Sequence, residues 1–571
     1  MKTKFTKHKS MIKSSIALSI MASSFAFAGE YADSIYFGGN ILTMESDQPE
    51  FAQAVAVKDG RITFVGSQDQ VKQHQGDDTR LVNLEGKTML PGFVDGHSHF
   101  QIAVENVAKV DLTAPPTGEV GDMATLVERL KTFQKENNIQ KGEWIFGWGY
   151  DENMLAEKRH PSIFDLDEAF PDNPVFMRHI SQHGASMNSK ALEALGIDEN
   201  FETPDGGVVT RVEGTNKPSG TLFGTALLAV LKEVPGLDDD MYPELVRRAQ
   251  YMYARNGYTF AQDGALHLDE HMKMLQVANT EGFDIDIASL MLFSEVMKWA
   301  NNPDVKFGEL ENGYKVQGMK FVMDGSPQGK TAYFTTPYLT GGLNGEEDWT
   351  GKPYISKPAA KQMMAIGFEA GAQLFAHANG DAGIDMLLDI IDEFEMTAED
   401  DHRSVVIHSQ FMRPEQLERY VELGMTPNFF TAHTWLWGDA HLQNRGEKEP
   451  HFISPVKAAL DHGLVYSNQS DYPVTPLDTR IQLWSAMERT TLNGKVLGAD
   501  QRVDAYTALQ GITSGPAWQH FEEHNRGMIK EGLMADFVVL DINPIEATSE
   551  EIRQMQVLTT IKQDEVIFEK K

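Results

Sequence analysis

Eight short apolar runs between residues 92 and 474 alternate with polar or amphipathic stretches such as 358–371 and 413–424. This alternation is typical of βα units, in which a helix follows each strand and the strands form a parallel sheet. Eight such units fit a closed (β/α)8 barrel, or TIM barrel, of the α/β class. The predicted strand regions are residues 92–100, 258–265, 284–291, 314–325, 372–380, 403–411, 426–433 and 464–474.

The two ends of the chain have a different pattern from the barrel region. Residues 29–90 contain short apolar runs around the turn Asp59-Gly60, a β-hairpin signal, and predict a small antiparallel β unit. Residues 516–571 contain similar runs. Because neither end has enough strands to bury a face alone, we expect the two ends to form one small β-sandwich domain. The barrel domain then occupies residues 91–515.

A long segment separates the first predicted barrel strand from the second. It contains about 150 residues, far more than an ordinary loop, and predicts a large insertion at about residues 110–250. In a TIM barrel the active site lies at the carboxyl ends of the strands. We therefore expect the insertion to cover that end of the barrel.

The first 28 residues have the pattern of a secretory signal peptide. Five lysines precede the apolar run IALSIMASSFAFA, and Ala26-Phe27-Ala28 is an A-x-A cleavage signal. An uncleaved membrane anchor is the alternative, but the apolar run is too short to span a bilayer comfortably. We expect cleavage after Ala28 and a mature protein that is periplasmic or secreted, with no attachment to the membrane.

The composition of the chain restricts its partners. A formal net charge of −33 argues against binding to nucleic acid or to an anionic membrane, so a small-molecule substrate is the expected partner. The sequence leaves open whether the protein forms a homodimer. Because the chain has no cysteine, a transition-metal site must use histidine, carboxylate or other oxygen ligands.

The stretch PGFVDGHSHF places His97 and His99 two positions apart at the end of the first predicted strand. Side chains at positions i and i+2 of a strand point to the same face, so both imidazoles are directed at one point. Polar side chains also follow other predicted strands, whose carboxyl ends meet at one rim of the barrel. These side chains belong to Lys320, His377, His408 and Asp471. Together with the two histidines they predict a metal site.

Each of these residues also has a simpler interpretation. The pair of His97 and His99 could be surface polar residues, and the histidines after apolar runs could be core residues. Asp471 could cap a turn in SDYPV. Lys320 could remain an unmodified lysine that pairs with an acid. A site for one metal ion is then the alternative, with the ligands His97, His99, His377 and Asp471.

Six stretches, in order along nearly the whole mature chain, resemble the amidohydrolase superfamily. The resemblance is to amidohydrolase family 3, the branch of metal-dependent hydrolases that includes N-substituted formamide deformylases. The stretches are PGFVDGHSHF, MKFVMDGSPQGKTA, FAHANGDAGID, HSQFMRPE, SDYPV and GLMADFVVLD.

The resemblance implies a TIM-barrel hydrolase with two divalent metal ions. It implies that His97 and His99 bind the more buried ion and that His377 and His408 bind the second. It also implies that carboxylated Lys320 bridges the two ions. Asp471 would be both a ligand of the first ion and the catalytic residue that moves protons.

The implied chemistry is the hydrolysis of a C–N bond. Neutral imidazole is a good ligand for Zn2+, the expected ion, and a zinc pair lowers the pKa of bound water towards ~7. The metal-activated hydroxide would attack an amide, a formamide, an N-acyl compound or a cyclic amide, and no GxSxG nucleophile motif is present. Two alternatives stay open: a metal-dependent hydrolase of esters or carbamates, and a non-catalytic regulatory protein on the same scaffold.

Seven further residues are candidates for substrate binding. His183 and Asn188 lie in QHGASMNSKAL, which resembles a segment that borders the active site in family members. For the aromatic candidates, packing within the insertion is the alternative interpretation. The candidates are Trp148, Tyr150, His183, Asn188, Asp324, Gln328 and His433.

Overall fold

The computed structural model describes most of the mature chain. The predicted signal peptide and the candidate substrate residue His183 lie outside the described residues. Within the described part of the chain, no helix is both long enough and apolar enough to cross a membrane. The described ranges are 31–152, 154–180, 184–204, 207–236, 239–342 and 346–571.

Eight parallel strands form one sheet, and each strand pairs with the next one along the chain. Every strand overlaps one of the eight apolar runs that the sequence predicts. We number them barrel strands 1 to 8 in chain order. They are Phe93–Val94, Tyr258–Leu266, Asp286–Leu292, Tyr314–Val322, Gln373–Ala378, Val405–His408, Thr426–Phe429 and Ser467–Asn468.

Backbone hydrogen bonds connect barrel strand 8 back to barrel strand 1. Just beyond the two strands, the amide of Asp471 donates to the carbonyl of His97 at 3.0 Å. Residues 511 and 512 bridge the two strands: Asn468 N donates to the carbonyl of Gly511 at 2.7 Å, and Val94 N donates to the carbonyl of Ile512 at 2.9 Å. The sheet is therefore curled, as in a TIM barrel, and it brings His97 and Asp471 side by side.

Helices connect the barrel strands. In the helix between strands 5 and 6, Ile384, Leu387, Leu388 and Ile391 are fully buried. Their spacing of i, i+3, i+4 and i+7 gives the helix one apolar face for packing in the core. The helices of the barrel region are Phe100–Asn106, Tyr242–Ala254, Leu268–Thr280, Val296–Trp299, Lys357–Glu369, Asp381–Glu393, Pro414–Leu423, Ala432–Leu436, Gly438–Arg445, Val456–Asp461, Thr479–Glu488, Ala505–Gln510 and Ser514–Gln519.

Strands from both chain ends form a second sheet of eight strands. An antiparallel pairing of Thr88–Pro91 with Phe537–Leu540 joins the two ends. The division of this sheet into the two layers of a sandwich stays a prediction. The short helix Ser549–Ile552 connects Phe537–Leu540 to Val557–Lys562. The strands are Ser34–Leu42, Phe51–Lys58, Arg61–Gly66, Arg80–Asn83, Thr88–Pro91, Phe537–Leu540, Val557–Lys562 and Glu565–Glu569.

The pairing of the first strand in this sheet differs from the purely antiparallel unit that the sequence predicts. Ser34–Leu42 pairs antiparallel with Phe51–Lys58 but parallel with Arg80–Asn83 and Thr88–Pro91. The physical reason is the connection over residues 67–79, which carries the chain across to the side of Ser34–Leu42 opposite Phe51–Lys58 before the next strand begins. The predicted hairpin is present, since Lys58 pairs with Arg61 across Asp59-Gly60.

The segment between barrel strands 1 and 2 has a six-stranded sheet of its own. Its Trp148 ring contacts that of Tyr472, beside Asp471, at a centroid distance of 6.2 Å. The helix Tyr242–Ala254 falls within the predicted insertion range but packs against the barrel helix Phe100–Asn106. The insertion strands are Val110–Asp111, Ile145–Tyr150, Val175–His179, Gly184–Met187, Gly207–Arg211 and Pro218–Gly224, and the insertion helices are Met123–Glu136, Ile163–Leu166, Ser189–Ala194 and Thr225–Leu231.

The C-terminal segment contacts the barrel strands before it enters the terminal sheet. The helix Ser514–Gln519 spans the predicted boundary at residue 515, and Gln519 Nε2 donates to the carbonyl of Gly96 at 2.8 Å. A buried network of three cations and three carboxylates follows it. The network consists of Lys315, Arg526 and Lys562 with Asp286, Glu522 and Asp536. These ion pairs fix the C-terminal strands to barrel strands 3 and 4.

Candidate metal centre

The structure brings together all six side chains that the sequence predicts at the rim of the barrel. Four of them lie on or just after barrel strands 1, 4, 5 and 6, and the other two lie in the loops that follow strands 1 and 8. Contacts between donor atoms link them into two halves, and the rings of His97 and His408 lie 6.1 Å apart between the halves. The six are His97, His99, Lys320, His377, His408 and Asp471. Their binding of metal stays a prediction.

The first half of the centre contains His97, His99 and Asp471. Asp471 Oδ1 lies 3.5 Å from His97 Nε2 and 3.4 Å from His99 Nε2. One donor atom from each of the three side chains falls within 4.8 Å of the other two. Because zinc ligands lie at about 2.0–2.2 Å from the ion, three atoms this close can bind the same ion.

A glutamine on barrel strand 2 sets the orientation of His97. The Nδ1 of His97 donates a hydrogen bond to Gln262 Oε1. The Nε2 atom therefore carries the lone pair, and it faces Asp471 and Lys320. A partner of this kind on the remote nitrogen is typical of a metal-binding histidine.

The second half of the centre contains His377 and His408. His377 Nε2 donates to the carbonyl of Gly325 at 3.2 Å, which leaves Nδ1 directed at His408. His408 Nδ1 lies 3.1 Å from Gln469 Nε2, which leaves Nε2 directed at His377. These two inward nitrogens are 3.0 Å apart. Because Gln469 Nε2 is an amide donor, His408 Nδ1 accepts from it, and His408 Nε2 carries the ring proton and donates to His377 Nδ1. Rotation of the Gln469 amide, whose Oε1 has no partner among the described residues, would move the ring proton of His408 to Nδ1 and let both inward nitrogens bind one ion.

Burial lowers the pKa of three of these imidazoles, those of His97, His377 and His408, and so keeps them neutral at pH 7. It lowers the pKa of His97 and of His408 well below the usual value, and neighbouring cationic groups add to the effect. Burial likewise lowers the pKa of His377 to about 4. Neutral imidazole is the form that binds a metal ion.

Lys320 lies between the two halves. Its Nζ is 2.8 Å from His97 Nε2, and the side chain is almost completely buried. Burial lowers the pKa of Lys320 to about 8, although the nearby Asp471 opposes the shift. A larger neutral fraction of the amine favours reaction with carbon dioxide. The residue thus has the position and the chemistry of a bridging carbamate, whose formation stays a prediction.

Two residues of the centre have a backbone conformation that is uncommon for side chains with a Cβ. His408 has φ = +75° and Asp471 has φ = +51°. Such left-handed residues cost free energy and occur preferentially at functional sites. Both belong to the six converging side chains.

Two predicted substrate residues, Trp148 and His433, lie beside the centre. Trp148 contacts Tyr472, the residue after Asp471. The Nδ1 of His433 lies 3.1 Å from His441 Nε2, and burial lowers the pKa of His433 well below its usual value. Gln328 Oε1 is buried and has no hydrogen-bond partner among the described residues. The three residues remain candidates for contact with a substrate.

Asp324 holds a loop of the centre in place. Its carboxylate accepts hydrogen bonds from the amides of Tyr333, Asn379 and Gly380 at 2.8–2.9 Å. The side chain is fully buried, and its Oδ1 lies 3.7 Å from His377 Nε2. Asp324 therefore supports the loop beside His377, and its contact with a substrate stays a prediction.

Two other predicted substrate residues have structural roles in the insertion. Asn188 is fully buried and caps the helix Ser189–Ala194, where its Oδ1 accepts from Ala191 N at 3.0 Å. Its Nδ2 donates to the carbonyls of residues 170 and 173. The hydroxyl of Tyr150 is 2.8 Å from Ser186 Oγ, and the Tyr150 side chain is also fully buried. These local partners hold both side chains in place, and contact of either residue with a substrate stays a prediction.

Sequence reasoning missed the residues that orient the histidines. Gln262 contacts His97, and Gln469 contacts His408. Asn379 Nδ2 donates at 2.8 Å to the carbonyl of Gly325, which also accepts from His377 Nε2. The available signal was weak: Gln262 is a polar residue within the apolar run YTFAQDGA. Gln469 and Asn379 lie two positions from Asp471 and His377, where side chains share a face.

The chain is similar in sequence to a known protein family. The family model described as "Amidohydrolase family" matches residues 80–568. The N-substituted formamide deformylase of Arthrobacter pascens is 28% identical over 540 residues, which covers 92% of this chain and 97% of that protein. The family match at residues 80–568 therefore includes all six converging side chains.

Two solved structures share the fold. They are described as uncharacterized metal-dependent hydrolases from Pyrococcus horikoshii OT3 and Pyrococcus furiosus. Each superimposes with a TM-score of 0.71 over 90% of this chain and 99% of the other, at identities of 21% and 22%. The TIM-barrel-like arrangement of the curled parallel sheet is thus a fold that solved proteins also have.

Proposed function

The chain belongs to the amidohydrolase family, and from this we propose that it is a metal-dependent hydrolase of carbon–nitrogen bonds other than peptide bonds. The observation that supports this most is the convergence of four imidazoles, a lysine and an aspartate at the carboxyl ends of the barrel strands. Active sites of TIM-barrel enzymes lie at that end. The donor atoms are nitrogen and oxygen, as a chain without cysteine requires for zinc.

The residues of the two halves would hold two divalent ions, which we propose to be zinc. His97, His99 and Asp471 would hold one ion, and His377 and His408 would hold the other. When bound, the ions would lower the pKa of a coordinated water towards ~7 and polarise the carbonyl of the substrate. Carboxylated Lys320 would supply negative charge between them, which reduces their mutual repulsion.

Asp471 is the residue that we assign to proton transfer. Its side chain is 12% exposed, whereas His97 beside it is fully buried, so Asp471 lies at the open edge of the centre. The carboxylate can take a proton from the attacking water and pass it to the leaving nitrogen. No serine or cysteine nucleophile is then required.

His433 is the residue that we assign to the substrate carbonyl. Its Nδ1 faces His441, so its Nε2 remains for a substrate. The ring planes of the two histidines differ by only 3°, and the ring of His433 also packs on Phe430 and Trp437. A donor held this rigidly can orient a carbonyl oxygen without losing further conformational entropy.

The substrate class that we propose is a small amide, formamide, N-acyl compound or cyclic amide. The named activity of the relative from Arthrobacter pascens makes N-substituted formamides the first compounds to examine. The buried aromatic Trp148 beside the centre is suited to an apolar substituent on the nitrogen.

The proposal is tested with zinc-loaded protein that begins at Gly29. A panel of N-substituted formamides, N-acyl amino acids and cyclic amides is assayed together with esters and carbamates. We expect C–N bond cleavage that is lost in His97→Ala and retained in His524→Ala, which changes an exposed histidine. Cleavage of esters or carbamates alone would support the alternative hydrolase. A folded protein that binds no metal would contradict the enzymatic proposal and support a regulatory role.

A further inference from the structure

A second group of metal-ligand side chains lies outside the barrel, in the insertion sheet. The strands Ile145–Tyr150 and Val175–His179 are neighbours in parallel orientation, with Tyr150 opposite His179. Asp151 and Glu152 follow the first strand directly, and His179 ends the second. The carboxyl ends of two parallel strands therefore bring two carboxylates and an imidazole to one edge of the sheet.

The donor atoms of this group lie within the range of one ion. One donor atom each from Asp151, Glu152 and His179 falls within 4.8 Å of the other two. Glu152 Oε2 is 2.7 Å from His179 Nε2 and 3.5 Å from the Nδ1 of a further histidine, His160. Ligands of a tetrahedral zinc ion at about 2.0–2.1 Å lie about 3.3 Å from one another, which is close to these separations.

Aromatic rings hold both imidazoles of the group in position. The ring of Phe223 packs on His160 and His179 at centroid distances of 5.0 and 5.7 Å. The ring of Tyr150 packs edge-on against the same two histidines at 6.0 and 5.2 Å. Contacts of this kind restrict the rotamers of the two side chains, so that little entropy is lost when an ion binds. A surface ion pair between long, mobile side chains lacks this support.

The partial burial of the group is also suited to a metal site. The side chains of His179, Glu152 and His160 are 10%, 23% and 27% exposed. An ion can therefore enter from solvent, and the aromatic walls lower the local dielectric constant once it is bound.

We propose that Asp151, Glu152 and His179 bind one zinc ion at a second site, in the insertion sheet, with His160 beside Glu152. One imidazole and two carboxylates are ligands that zinc accepts, and water can take the fourth tetrahedral position. The ion would tie the ends of the two insertion strands together. Trp148 lies in the same strand as Tyr150 and contacts Tyr472, so the ion would stabilise the part of the insertion that borders the barrel centre.

The first test measures zinc content by elemental mass spectrometry after dialysis. We expect the double variant Glu152→Gln, His179→Gln to contain one equivalent less zinc per chain than the unchanged protein. The matched control is His267→Gln, Glu295→Gln, which removes another His–Glu pair, with its atoms 3.6 Å apart, and should leave the zinc content unchanged. Equal zinc content in the Glu152, His179 variant and the unchanged protein would overturn the proposal.

The second test does not depend on the function proposed for the barrel. The variant His97→Asn, His377→Asn loses one ligand from each half of the barrel centre and is titrated with Co2+, whose visible absorption reports tetrahedral ligation. We expect one equivalent of Co2+ to remain bound, and to be lost when Glu152→Gln and His179→Gln are added. The proposal is overturned if no Co2+ binds, or if the remaining Co2+ survives the added substitutions. If the barrel binds no metal, this titration still gives one equivalent from the insertion.

Discussion

His97 Nε2 and Lys320 Nζ lie 2.8 Å apart, although 223 positions separate the two residues in the chain. Gln262 engages the other nitrogen of the His97 ring, so the lone pair of Nε2 points directly at the amine. A protonated Lys320 thus competes with a metal ion for His97. A carboxylated Lys320 has lost that positive charge and has gained oxygen ligands. The same residue can therefore block the centre or complete it, depending on its chemical state.

This relationship predicts that zinc uptake depends on bicarbonate. With a pKa of about 8, Lys320 becomes increasingly neutral as the pH rises from 7 to 9, and only the neutral amine reacts with carbon dioxide. We expect metal-free protein to take up zinc faster at the higher pH and faster with added bicarbonate. The measurement is the time course of zinc uptake in carbon dioxide-free buffer, with Lys320→Met as the control that should not respond to bicarbonate. Identical time courses with and without bicarbonate would argue for an unmodified lysine.

We expect substitutions at Asp471 and His97 to separate catalysis from metal binding. Asp471→Asn keeps an oxygen ligand but cannot accept a proton, so turnover should fall by about 10²–10⁴-fold while most of the zinc is retained. His97→Ala should lose both zinc and turnover, because its Nε2 faces the centre of the ligand set. Zinc content and kcat are measured on the same preparations. A fully active Asp471→Asn protein would exclude the proton-transfer role.

Gln262→Leu should weaken metal binding without removing a ligand. The substitution frees His97 Nδ1 from its partner, and loss of such a partner typically reduces metal affinity about 10–100-fold. The control is Gln250→Leu, which removes another buried glutamine whose Oε1 accepts backbone hydrogen bonds from residues 284 and 285. Zinc affinity from competition with a chelator should change only in the Gln262 variant. Equal affinities in the two variants would show that Gln262 does not position His97.

Asp286→Asn should destabilise the protein at neutral pH. Asp286 is buried and accepts from both Arg526 and Lys562, and removal of one partner from a buried ion pair costs about 3–5 kcal/mol. Thermal unfolding of Asp286→Asn and of the exposed control Asp69→Asn at pH 7 measures the difference. An unchanged Tm in Asp286→Asn would mean that the network adds no net stability.

The pH dependence of the same variant provides a second measurement. Burial by itself would raise the pKa of Asp286, but Lys562 and Arg526 reverse this and hold the pKa well below its usual value. A depressed pKa in the folded state stabilises the protein above the unfolded-state pKa of about 3.9, and this stability is lost as the pH falls further. We expect the loss of stability below about pH 4 to be less steep in Asp286→Asn than in the unchanged protein. Parallel curves of Tm against pH would contradict the assignment.

Export of the chain stays a prediction from the sequence. The A-x-A signal at residues 26–28 predicts a mature N-terminus at Gly29. N-terminal sequencing of protein recovered from a periplasmic extract measures this directly. Ala28→Asp should block cleavage, because the position requires a small, uncharged residue. Recovery of protein that still begins at Met1 in the cytoplasm would contradict export.

The barrel and the six converging side chains could be predicted because their signals are local. Each barrel strand is a short apolar run, and His97, His377 and His408 each lie at the end of one. Once the strands are known to be parallel, the carboxyl ends must share a rim, and the polar residues there must meet. The family resemblance then added their roles.

Other features depend on contacts between segments that are distant in the sequence, and a local sequence pattern cannot predict such contacts. The parallel pairing of Ser34–Leu42 with Arg80–Asn83 depends on the path of the connection between them. The role of Asn188 depends on which helix it caps, and that of Asp324 depends on which loop amides surround it. For Asn188 and Asp324 these local partners are visible only in the structure, and contact with a substrate stays a prediction.

The sequence by itself determined the type of fold, the kind of ligands and the rim on which they lie, because hydrophobic periodicity and strand direction suffice for these. Only the tertiary structure decided which nitrogen of each imidazole faces inward, through Gln262 beside His97 and Gly325 beside His377. It alone also brought His160 and His179 together around Glu152. The reason is physical: the direction of a lone pair is set by the hydrogen-bond partner on the opposite side of the ring, and that partner comes from another part of the chain.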